Sequence, residues 1–341
     1  MNITTYAVDL AKDVFQVHGY DRQGQRVWVR RLNRTKFQRF CAELTPGVRV
    51  VMEATRSAHH WGRLLQGRDV RVELLPPQHV KALLMGNKTD ANDADAIYEA
   101  SLRPKLRRVP VKTCAQQALL TEHRVREARI KTRTQTINQI RGLLAEFGVV
   151  LGARGAPLRR ALPAVLEDAE NTLPDAVRLL LAEALEDLLH LDARIEASER
   201  RLFEVARSTP ACRRLLAVEG LGPITATALV ASVGEGRGFE RARPFASSLG
   251  LVPREYSSGH RRQLGPITKR GNPYLRKLLI HGARAVVRAA GPKTDARSRW
   301  IQTLQARRGL HKTVVALANK NARIVWALLR SGHDYRQPQA A

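Results

Sequence analysis

Residues 5–10 read Thr-Tyr-Ala-Val-Asp-Leu, residues 14–20 read Val-Phe-Gln-Val-His-Gly-Tyr, and residues 26–32 read Arg-Val-Trp-Val-Arg-Arg-Leu. All three segments are rich in β-branched and aromatic residues, which favour strands. The segment Asp-Arg-Gln-Gly-Gln at residues 21–25 separates the last two and is typical of a turn. The sequence therefore opens with a predicted meander of three strands.

The next stretch alternates between helical and strand patterns. It predicts a helix near residues 35–44, an apolar strand that ends at Glu53, a helix near 57–67 and a strand that ends before the prolines at 76 and 77. With a further helix after these prolines, the order is β-β-β-α-β-α-β-α. This order is typical of the ribonuclease H-like α/β fold, in which carboxylates gather at the ends of the first and fourth strands.

Four carboxylates of this region are candidate metal ligands. Asp9 ends the first predicted strand and Glu53 ends the fourth, while Asp90 and Asp93 are three residues apart and share one face of a predicted helix. Oxygen ligands grouped in this way suit Mg²⁺ or Mn²⁺, and a two-metal cluster can activate a nucleophile at phosphorus. We predict that these four acids bind metal. Asp95 lies off their helix face and is expected to be a solvated or capping acid.

Beyond Pro110 the strand signal disappears over a long stretch. A basic helical pattern extends from about Ala115 to Phe147, and an acidic one extends from about Pro174 to Arg207. Their opposite charges favour pairing, either as an antiparallel hairpin or as a coiled coil or bundle that joins subunits. The segment Gly-Ala-Arg-Gly-Ala-Pro at 152–157 is predicted to be a loop.

A compact and mostly helical region is predicted from residue 209 onward. Gly220 and Gly222 separate two helical patterns within residues 216–233. This helix-hairpin-helix pattern offers backbone amides and a helix N-terminus to a phosphate. An ordinary helical hairpin with a glycine turn explains the same residues, so both interpretations stay open.

The charge of the chain indicates a polyanionic partner. Its 341 residues include 58 basic and 31 acidic ones, which gives a net charge of +27. Such an excess is atypical of metabolic enzymes and indicates nucleic acid. The hydrophobic content of 44% excludes a disordered basic tail, so the chain should fold.

The last third of the chain carries most of this excess. Between Tyr256 and His333 the only acid is Asp295, and one-signed clustering of this kind is typical of a surface that binds a phosphate backbone. The basic residues from which we expect nucleic-acid contacts are Arg261, Arg262, Lys269, Arg270 and Arg276.

Three cysteines, at 41, 114 and 212, are too few and too far apart for a disulfide framework or a zinc site. We expect reduced thiols. The sequence has no charged-then-apolar leader and no apolar run of the roughly 18 residues that a membrane span needs. A cytoplasmic protein close to the nucleoid is therefore expected.

Several blocks of the sequence together resemble the DEDD transposases of the insertion sequence one-hundred-and-ten family. The blocks are AVDLAKDVF at 7–15, VMEAT at 51–55, KTDANDA at 88–94, EGLGPITA at 219–226, ASSLGLVPREYSSG at 246–259 and ITKRGNPYLR at 267–276. The resemblance covers nearly the whole chain, in family order. It implies a RuvC-like domain at 1–110, a helical coiled-coil linker at 111–208 and a transposase domain at 209–341.

The resemblance also implies a mechanism. The four acids of the family correspond to Asp9, Glu53, Asp90 and Asp93, and its serine nucleophile corresponds to Ser258, with Ser257 as a less favoured neighbour. Attack by a serine on DNA would give a phosphoserine intermediate. The resemblance further implies Mg²⁺, donor and target DNA, a non-coding bridge RNA, and a dimer that assembles into a tetramer.

Other functions remain open at this stage. A Holliday-junction resolvase or nuclease needs only the four acids and water. A tyrosine recombinase would use the HxxR spacing of His281 and Arg284 with Tyr335. Asp-Leu-Ala-Lys at 9–12 is similar to the phosphate loop of actin-like ATPases, although no glycine-rich adenosine loop follows. A non-catalytic RNA-binding protein is the remaining alternative.

Overall fold

The computed structural model describes residues 3–55, 57–85, 87, 89–152, 155–259 and 261–336, without the side chains of 155–157. The chain divides into two compact units. Unit 1 contains Met1–Ala115 and Gly236–Glu240, and unit 2 contains Gln116–Glu235 and Arg241–Ala341. The predicted linker and the predicted C-terminal domain thus fall within the same unit.

Unit 1 has the order of strands and helices that the sequence predicts. Its elements are β1 (Thr5–Leu10), β2 (Val14–Tyr20), β3 (Arg26–Asn33), α1 (Arg34–Glu43), β4 (Arg49–Glu53), α2 (Ala58–Gln66), β5 (Arg71–Leu75), the short α3 (Pro77–Val80) with a 3-10 turn at Lys81–Leu83, and α4 (Asp90–Ser101). The strands form one sheet in the order β3-β2-β1-β4-β5. β1 pairs with β2 antiparallel and with β4 parallel, and β4 pairs with β5 parallel.

Apolar clusters cover both faces of this sheet. On one face, Phe15 stacks on Phe37 of α1, and Trp61 of α2 packs edge-on against both rings. On the other face, Ala7, Val51 and Leu75 belong to a cluster that includes Ala96, Ile97 and Ala100 of α4. Alternate residues of β1 and β4 therefore point toward α4, as the pleat of a strand requires.

Two polar clusters attach α4 to the sheet. Asp95, near the middle of α4, accepts hydrogen bonds from Tyr20 (2.6 Å), His18 Nδ1 (2.7 Å) and Arg26 (2.6 Å). At the C-terminal end of α4, Arg49 and Arg108 donate to the carbonyl oxygen of Ser101, and both also pair with Glu73. The helix is thus held at two points along its length.

The prediction that Asp95 is a solvated or capping acid is wrong. Its side chain is only 38% exposed and bridges strands β2 and β3 to α4. Partial burial acts to raise the pKa of Asp95, but hydrogen bonds from Tyr20, His18 and Arg26, together with the charge of His18, outweigh it, so this pKa lies below its ordinary value. The partners come from residues 18–26, so spacing along the sequence could not identify them.

Unit 2 is mostly helical. Its elements are α5 (Cys114–Glu146, which begins at the boundary of unit 1), α6 (Gly155–Glu167), α7 (Asp175–Ser208), α8 (Pro210–Leu216), α9 (Pro223–Val233), α10 (Ala242–Ser248), strands β6 (Pro253–Glu255) and β7 (Leu264–Ile267), α11 (Pro273–Ala289), α12 (Ala296–Arg308) and α13 (Leu310–Ser331). Strands β6 and β7 pair antiparallel as a two-stranded ribbon. Among the described residues, no helix is long and apolar enough to cross a membrane.

The two long helices α5 and α7 lie antiparallel, as their charges predict. Arginines of α5 contact polar groups of α7 along the hairpin: Arg126 pairs with Glu199, Arg129 donates to Ser198 (3.0 Å), and Arg133 pairs with Asp192 (3.2 Å). The residue numbers fall on α7 as they rise on α5, so the helices run in opposite directions. The basic helix and the acidic helix therefore neutralise each other.

Helix α6 was not predicted. The loop expected at 152–157 ends inside it, and residues 153 and 154 of that loop lie outside the described residues. Leu158 and Leu162 are fully buried and pack with Ile140 and Leu144 of α5 and Leu181 of α7. The helical spacing of these leucines was present in the sequence, but the glycines before them and Pro163 inside the helix masked it.

A buried histidine joins three helices of unit 2. His123 of α5 is 1% exposed; its Nε2 lies 3.1 Å from Thr227 of α9 and its Nδ1 lies 3.0 Å from the Tyr274 hydroxyl of α11. Thr227 donates its own proton to the Pro223 carbonyl (2.7 Å), so His123 Nε2 donates to Thr227 and Nδ1 accepts from Tyr274. Burial, together with nearby Arg126, lowers the pKa of His123 to about 4.

We expect this histidine to make stability depend on pH. The folded state disfavours the protonated imidazole, so the unfolded chain takes up the proton first, and stability falls as pH drops from about 6.5 toward 4. At pH 4 the loss approaches about 3 kcal/mol. Thermal unfolding of His123→Gln, which cannot become charged, should therefore show a flatter dependence on pH over this interval.

The exposed His281 of α11 provides the control, since His281→Gln removes a histidine without changing a buried contact. An unchanged slope in His123→Gln, or the same change in both variants, would contradict the assignment.

Candidate functional site

The register between β1 and β4 brings two of the predicted ligands together. The last paired residues are Val8 and Met52, and the next residues along both strands are Asp9 and Glu53. Asp9 comes two residues after Ala7, and Glu53 comes two residues after Val51, both of which face α4. Residues two apart on a strand point to the same face, so both acids face α4 as well. Asp9 and Glu53 therefore lie side by side at the carboxyl ends of two parallel strands, and both are half-buried.

The other two acids stand at the start of α4. Thr89 caps this helix by accepting a hydrogen bond from the Asn92 amide (3.2 Å), and α4 begins at Asp90. Asp93 is one turn before Ile97, which packs on the sheet, and Asp90 is one turn earlier again. Asp93 is half-buried and Asp90 is exposed, as expected for the open end of this helix face.

The four acids share one end of unit 1, but the carboxylates do not converge. Among the residues that the structure describes, no three His, Cys, Asp or Glu side chains are close enough to hold a metal ion. The chemistry of the set still fits a divalent cation, because all four donors are carboxylates and hard cations prefer oxygen ligands. Carboxylates without a cation repel one another, so a closed arrangement requires an ion between them.

Ser258 lies at the tip of the β6–β7 ribbon, in unit 2. Its backbone N–H donates to the Arg261 carbonyl (3.3 Å), the Arg261 N–H donates back (3.1 Å), and Gly259 between them has a φ of +54°. Such a tight turn projects its side chains into solvent, and Ser258 is exposed. Within the described part of the chain, its hydroxyl makes no hydrogen bond.

The neighbouring serine has a different environment. The Ser257 hydroxyl donates to Glu255 (2.8 Å) and accepts from the Gln263 amide (3.3 Å). Arg262 donates to the same Glu255 oxygen at 3.2 Å. Ser257 and Arg262 are therefore engaged in holding the ribbon together, whereas Ser258 and Arg261 point their side chains outward.

The loop between β7 and α11 carries two of the predicted nucleic-acid contacts, and the first turn of α11 carries a third. Lys269 and Arg270 are exposed, and Lys269 has a φ of +54°, which is uncommon for a residue with a side chain. Arg276 is half-buried, and its Nη1 donates to the carbonyls of Leu249 (3.0 Å) and Arg270 (2.8 Å). Lys269 and Arg270 are thus available to a ligand, while Arg276 supports the loop that presents them.

Gly220 and Gly222 occupy the turn between α8 and α9. Gly220 has a φ of +86°, and its backbone lies directly against Gly282 of α11. Gly222 caps the N-terminus of α9, and a side chain added there would meet open space. Gly220 thus allows the turn to pack closely against α11, and Gly222 leaves the N-terminus of α9 accessible.

Sequence reasoning missed two residues that support this turn. The buried Asn321 and Arg297 both donate to the Glu219 carbonyl, at 3.1 and 3.2 Å, and they bond to each other at 2.6 Å. Tyr335, considered above as a recombinase nucleophile, is the acceptor of an Arg297 hydrogen bond at 3.3 Å. Nothing in the linear spacing of these residues signals that they meet.

Comparisons with known proteins identify the family of this chain. A family described as "Transposase IS116/IS110/IS902 family" matches residues 212–299, which contain Ser258, and a DEDD transposase family matches residues 6–148, which contain all four acids. A probable family 20 transposase of Pseudomonas aeruginosa is 49% identical over 98% of this chain and 99% of its own length.

Two further relatives are transposases of named insertion sequences. The transposase for insertion sequence element IS1111A of Coxiella burnetii is 43% identical, with 98% of this chain and 92% of the relative covered. The transposase for insertion sequence element IS1328 of Yersinia enterocolitica is 34% identical, with 97% and 98% covered. The chain therefore belongs to the IS110/IS116 family of insertion-sequence transposases, a family that cleaves DNA and transfers its strands.

Proposed function

We propose that this transposase cleaves and exchanges DNA strands through a phosphoserine intermediate formed on Ser258, with a divalent cation held by the four acids of unit 1. The observation that carries the proposal is the contrast between the two serines of the ribbon. Both serines are exposed, but the Ser257 hydroxyl is bonded to Glu255, whereas the Ser258 hydroxyl makes no hydrogen bond to the described residues. A nucleophile must be able to reach its substrate, and of the two hydroxyls that of Ser258 is the one not already engaged.

We propose a ribonuclease H-like, or RuvC-like, fold for the first 110 residues. The order of elements and the mixed sheet β3-β2-β1-β4-β5 support it. We also retain the division into this domain, a helical linker at 111–208 and a transposase domain at 209–341 as a functional division. The paired helices α5 and α7 support the linker part of it.

Asp9, Glu53, Asp90 and Asp93 would hold Mg²⁺, or Mn²⁺ in its place. When bound, such an ion lowers the pKa of a nucleophile and stabilises charge on the leaving oxygen. The chain itself contributes the placement: the pairing of β1 with β4 fixes two carboxylates, and the two attachments of α4 fix the others. Carboxylates bind a cation in their deprotonated form.

The serine step conserves the energy of the phosphodiester. Attack by the Ser258 Oγ forms an Oγ–P bond and breaks the bond from phosphorus to the leaving sugar oxygen, while the hydroxyl proton passes to a base and the leaving oxygen is protonated. A sugar hydroxyl of the second strand then attacks the phosphoserine and restores the serine. Strand exchange of this kind requires no ATP.

The partners belong to the same proposal. Donor and target DNA are the substrates, and a bridge RNA would select their sequences by base pairing, as in other RNA-guided systems. Exposed cations such as Arg261, Lys269 and Arg270 would contact phosphates rather than bases. Exchange between two duplexes calls for a dimer that assembles into a tetramer. The protein would work in the cytoplasm, at the nucleoid.

The Holliday-junction resolvase remains the second candidate, because the four acids alone could direct water to a phosphate. It leaves the exposed serine ribbon without a role. The two functions differ in whether cleaved DNA stays attached to protein.

We expect Asp9→Ala to reduce strand cleavage by about a hundredfold or more, because it removes a ligand that lies beside Glu53. The assay uses full-length protein with Mg²⁺, donor and target DNA, and RNA transcribed from the DNA that flanks the gene. Glu99→Gln is the matched control, since Glu99 is an exposed acid on the same helix as Asp90 and Asp93. Full cleavage by Asp9→Ala would overturn the metal assignment.

Ser258→Ala should abolish the covalent protein–DNA adduct on denaturing gels, because no hydroxyl remains to form it. Ser257→Ala should retain the adduct to within about threefold, since its hydroxyl serves only the ribbon. Loss of the adduct in Ser257→Ala alone would move the nucleophile to Ser257. Cleaved ends without an adduct in the wild-type protein would instead favour the resolvase.

A further inference from the structure

A row of paired residues crosses the sheet of unit 1 at the end that carries the acids. Arg31 of β3 pairs with Gln16 of β2, and Gln16 pairs with Asp9 of β1, whose parallel neighbour on β4 is Glu53. Residues opposite each other in adjacent strands point to the same side of a sheet. Arg31 therefore shares a face with Asp9 and lies two strands, or roughly 10 Å, away from it.

The middle of this row is fixed by hydrogen bonds. Gln16 is only 8% exposed, and its amide nitrogen lies 2.9 Å from His18 Nε2. His18 in turn donates through Nδ1 to Asp95 at 2.7 Å. The strand that separates Arg31 from Asp9 is thus attached to α4 by hydrogen bonds, and the sheet sets the spacing between the backbones of these two residues.

Arg31 is an exposed cation on an edge strand. It forms no ion pair with any residue in the described ranges, unlike Arg26 at the other end of β3, which pairs with Asp95. The segment around Arg31 also carries charge of one sign, because no acid occurs between Asp21 and Glu43. That segment contains seven basic residues: Arg22, Arg26, Arg30, Arg31, Arg34, Lys36 and Arg39.

Positive charge on an edge strand has a simpler explanation, because it prevents sheets from pairing edge to edge. Edge protection explains why the strand carries positive charge, but it does not require the charge to lie at any particular position along the strand. Arg31 falls in the one row that leads to Asp9, on the face that carries all four acids. A binding function requires this position, whereas edge protection does not.

From this placement we infer that Arg31 binds a backbone phosphate of the DNA strand that enters the acidic site, next to the phosphate that is cut. The guanidinium group suits this task, since it is always charged and can donate two parallel hydrogen bonds to phosphate oxygens. Because the backbone of Arg31 lies two strands away from that of Asp9, we assign Arg31 to a phosphate beside the cleaved one, where it acts as a positioning residue. The inference rests on the proposed role of the acids in cutting DNA.

The test measures binding rather than cleavage. Full-length protein is titrated onto a DNA that contains the cleavage site, over a range of salt concentrations without a catalytic cation. Arg31→Ala should weaken binding by about threefold to tenfold and reduce the slope of log affinity against log salt by about 1. Arg22→Ala, which removes the same charge at the opposite end of the sheet, should leave both values nearly unchanged.

A second measurement locates the contact. Each phosphate near the cleavage site is replaced in turn by a neutral methylphosphonate. One replacement beside the cleaved position should weaken binding by the wild-type protein and have no further effect on Arg31→Ala. Arg31→Lys should keep most of the salt dependence but lose part of the affinity, because lysine lacks the paired donors.

The outcomes distinguish a failure of the Arg31 contact from a failure of the proposed metal site. The inference is overturned if Arg31→Ala and Arg22→Ala behave alike, if no single phosphate loses its effect in Arg31→Ala, or if only RNA binding changes. A phosphate-specific loss on DNA supports Arg31 even if Asp9→Ala retains cleavage, since binding is measured without the metal. In that case the acids, and not Arg31, would lose their assigned role.

Discussion

The parallel pairing of β1 with β4 is the constraint on which the candidate site depends. Parallel strands end at the same edge of a sheet, so the register that joins Val8 to Met52 also brings Asp9 beside Glu53. The antiparallel pairing of β2 and β3 then extends the row to Arg31. A shift of one residue in this register would turn the acid of the shifted strand to the opposite face, away from α4 and from the other acid.

The attachment of α4 to the sheet is the second requirement, because this helix carries the other two acids. The Asp95 cluster holds it near its middle, and the Glu73 cluster holds it at Ser101. Glu73 is almost buried and is stabilised by Arg49 and Arg108, since an unpaired carboxylate there would be costly. These two attachments fix the position of α4 on the sheet and therefore the position of its first turn, which carries Asp90 and Asp93.

The sequence was informative where a short-range pattern determines the structure. The alternation of strands and helices predicted the order of elements in unit 1, and opposite charge predicted that α5 and α7 pair. It was uninformative where residues far apart in the chain meet. The network of Asp95 with His18, the hydrogen bond that engages Ser257, and the row that contains Arg31 all depend on register and turns. Helix α6 was missed because the glycines and the proline of residues 152–157 suggested a loop.

The central claim is that DNA becomes attached to Ser258, and mapping the modified residue tests it most directly. Trypsin cleaves after Arg254 and Arg261, so a single peptide, residues 255–261, contains both serines of the ribbon tip. After the adduct is trapped and its DNA is digested with nuclease, fragmentation of this peptide in a mass spectrometer should place a nucleotide remnant on Ser258. A remnant on Ser257 or on any other residue, or cleaved DNA with an unmodified peptide, would contradict the account.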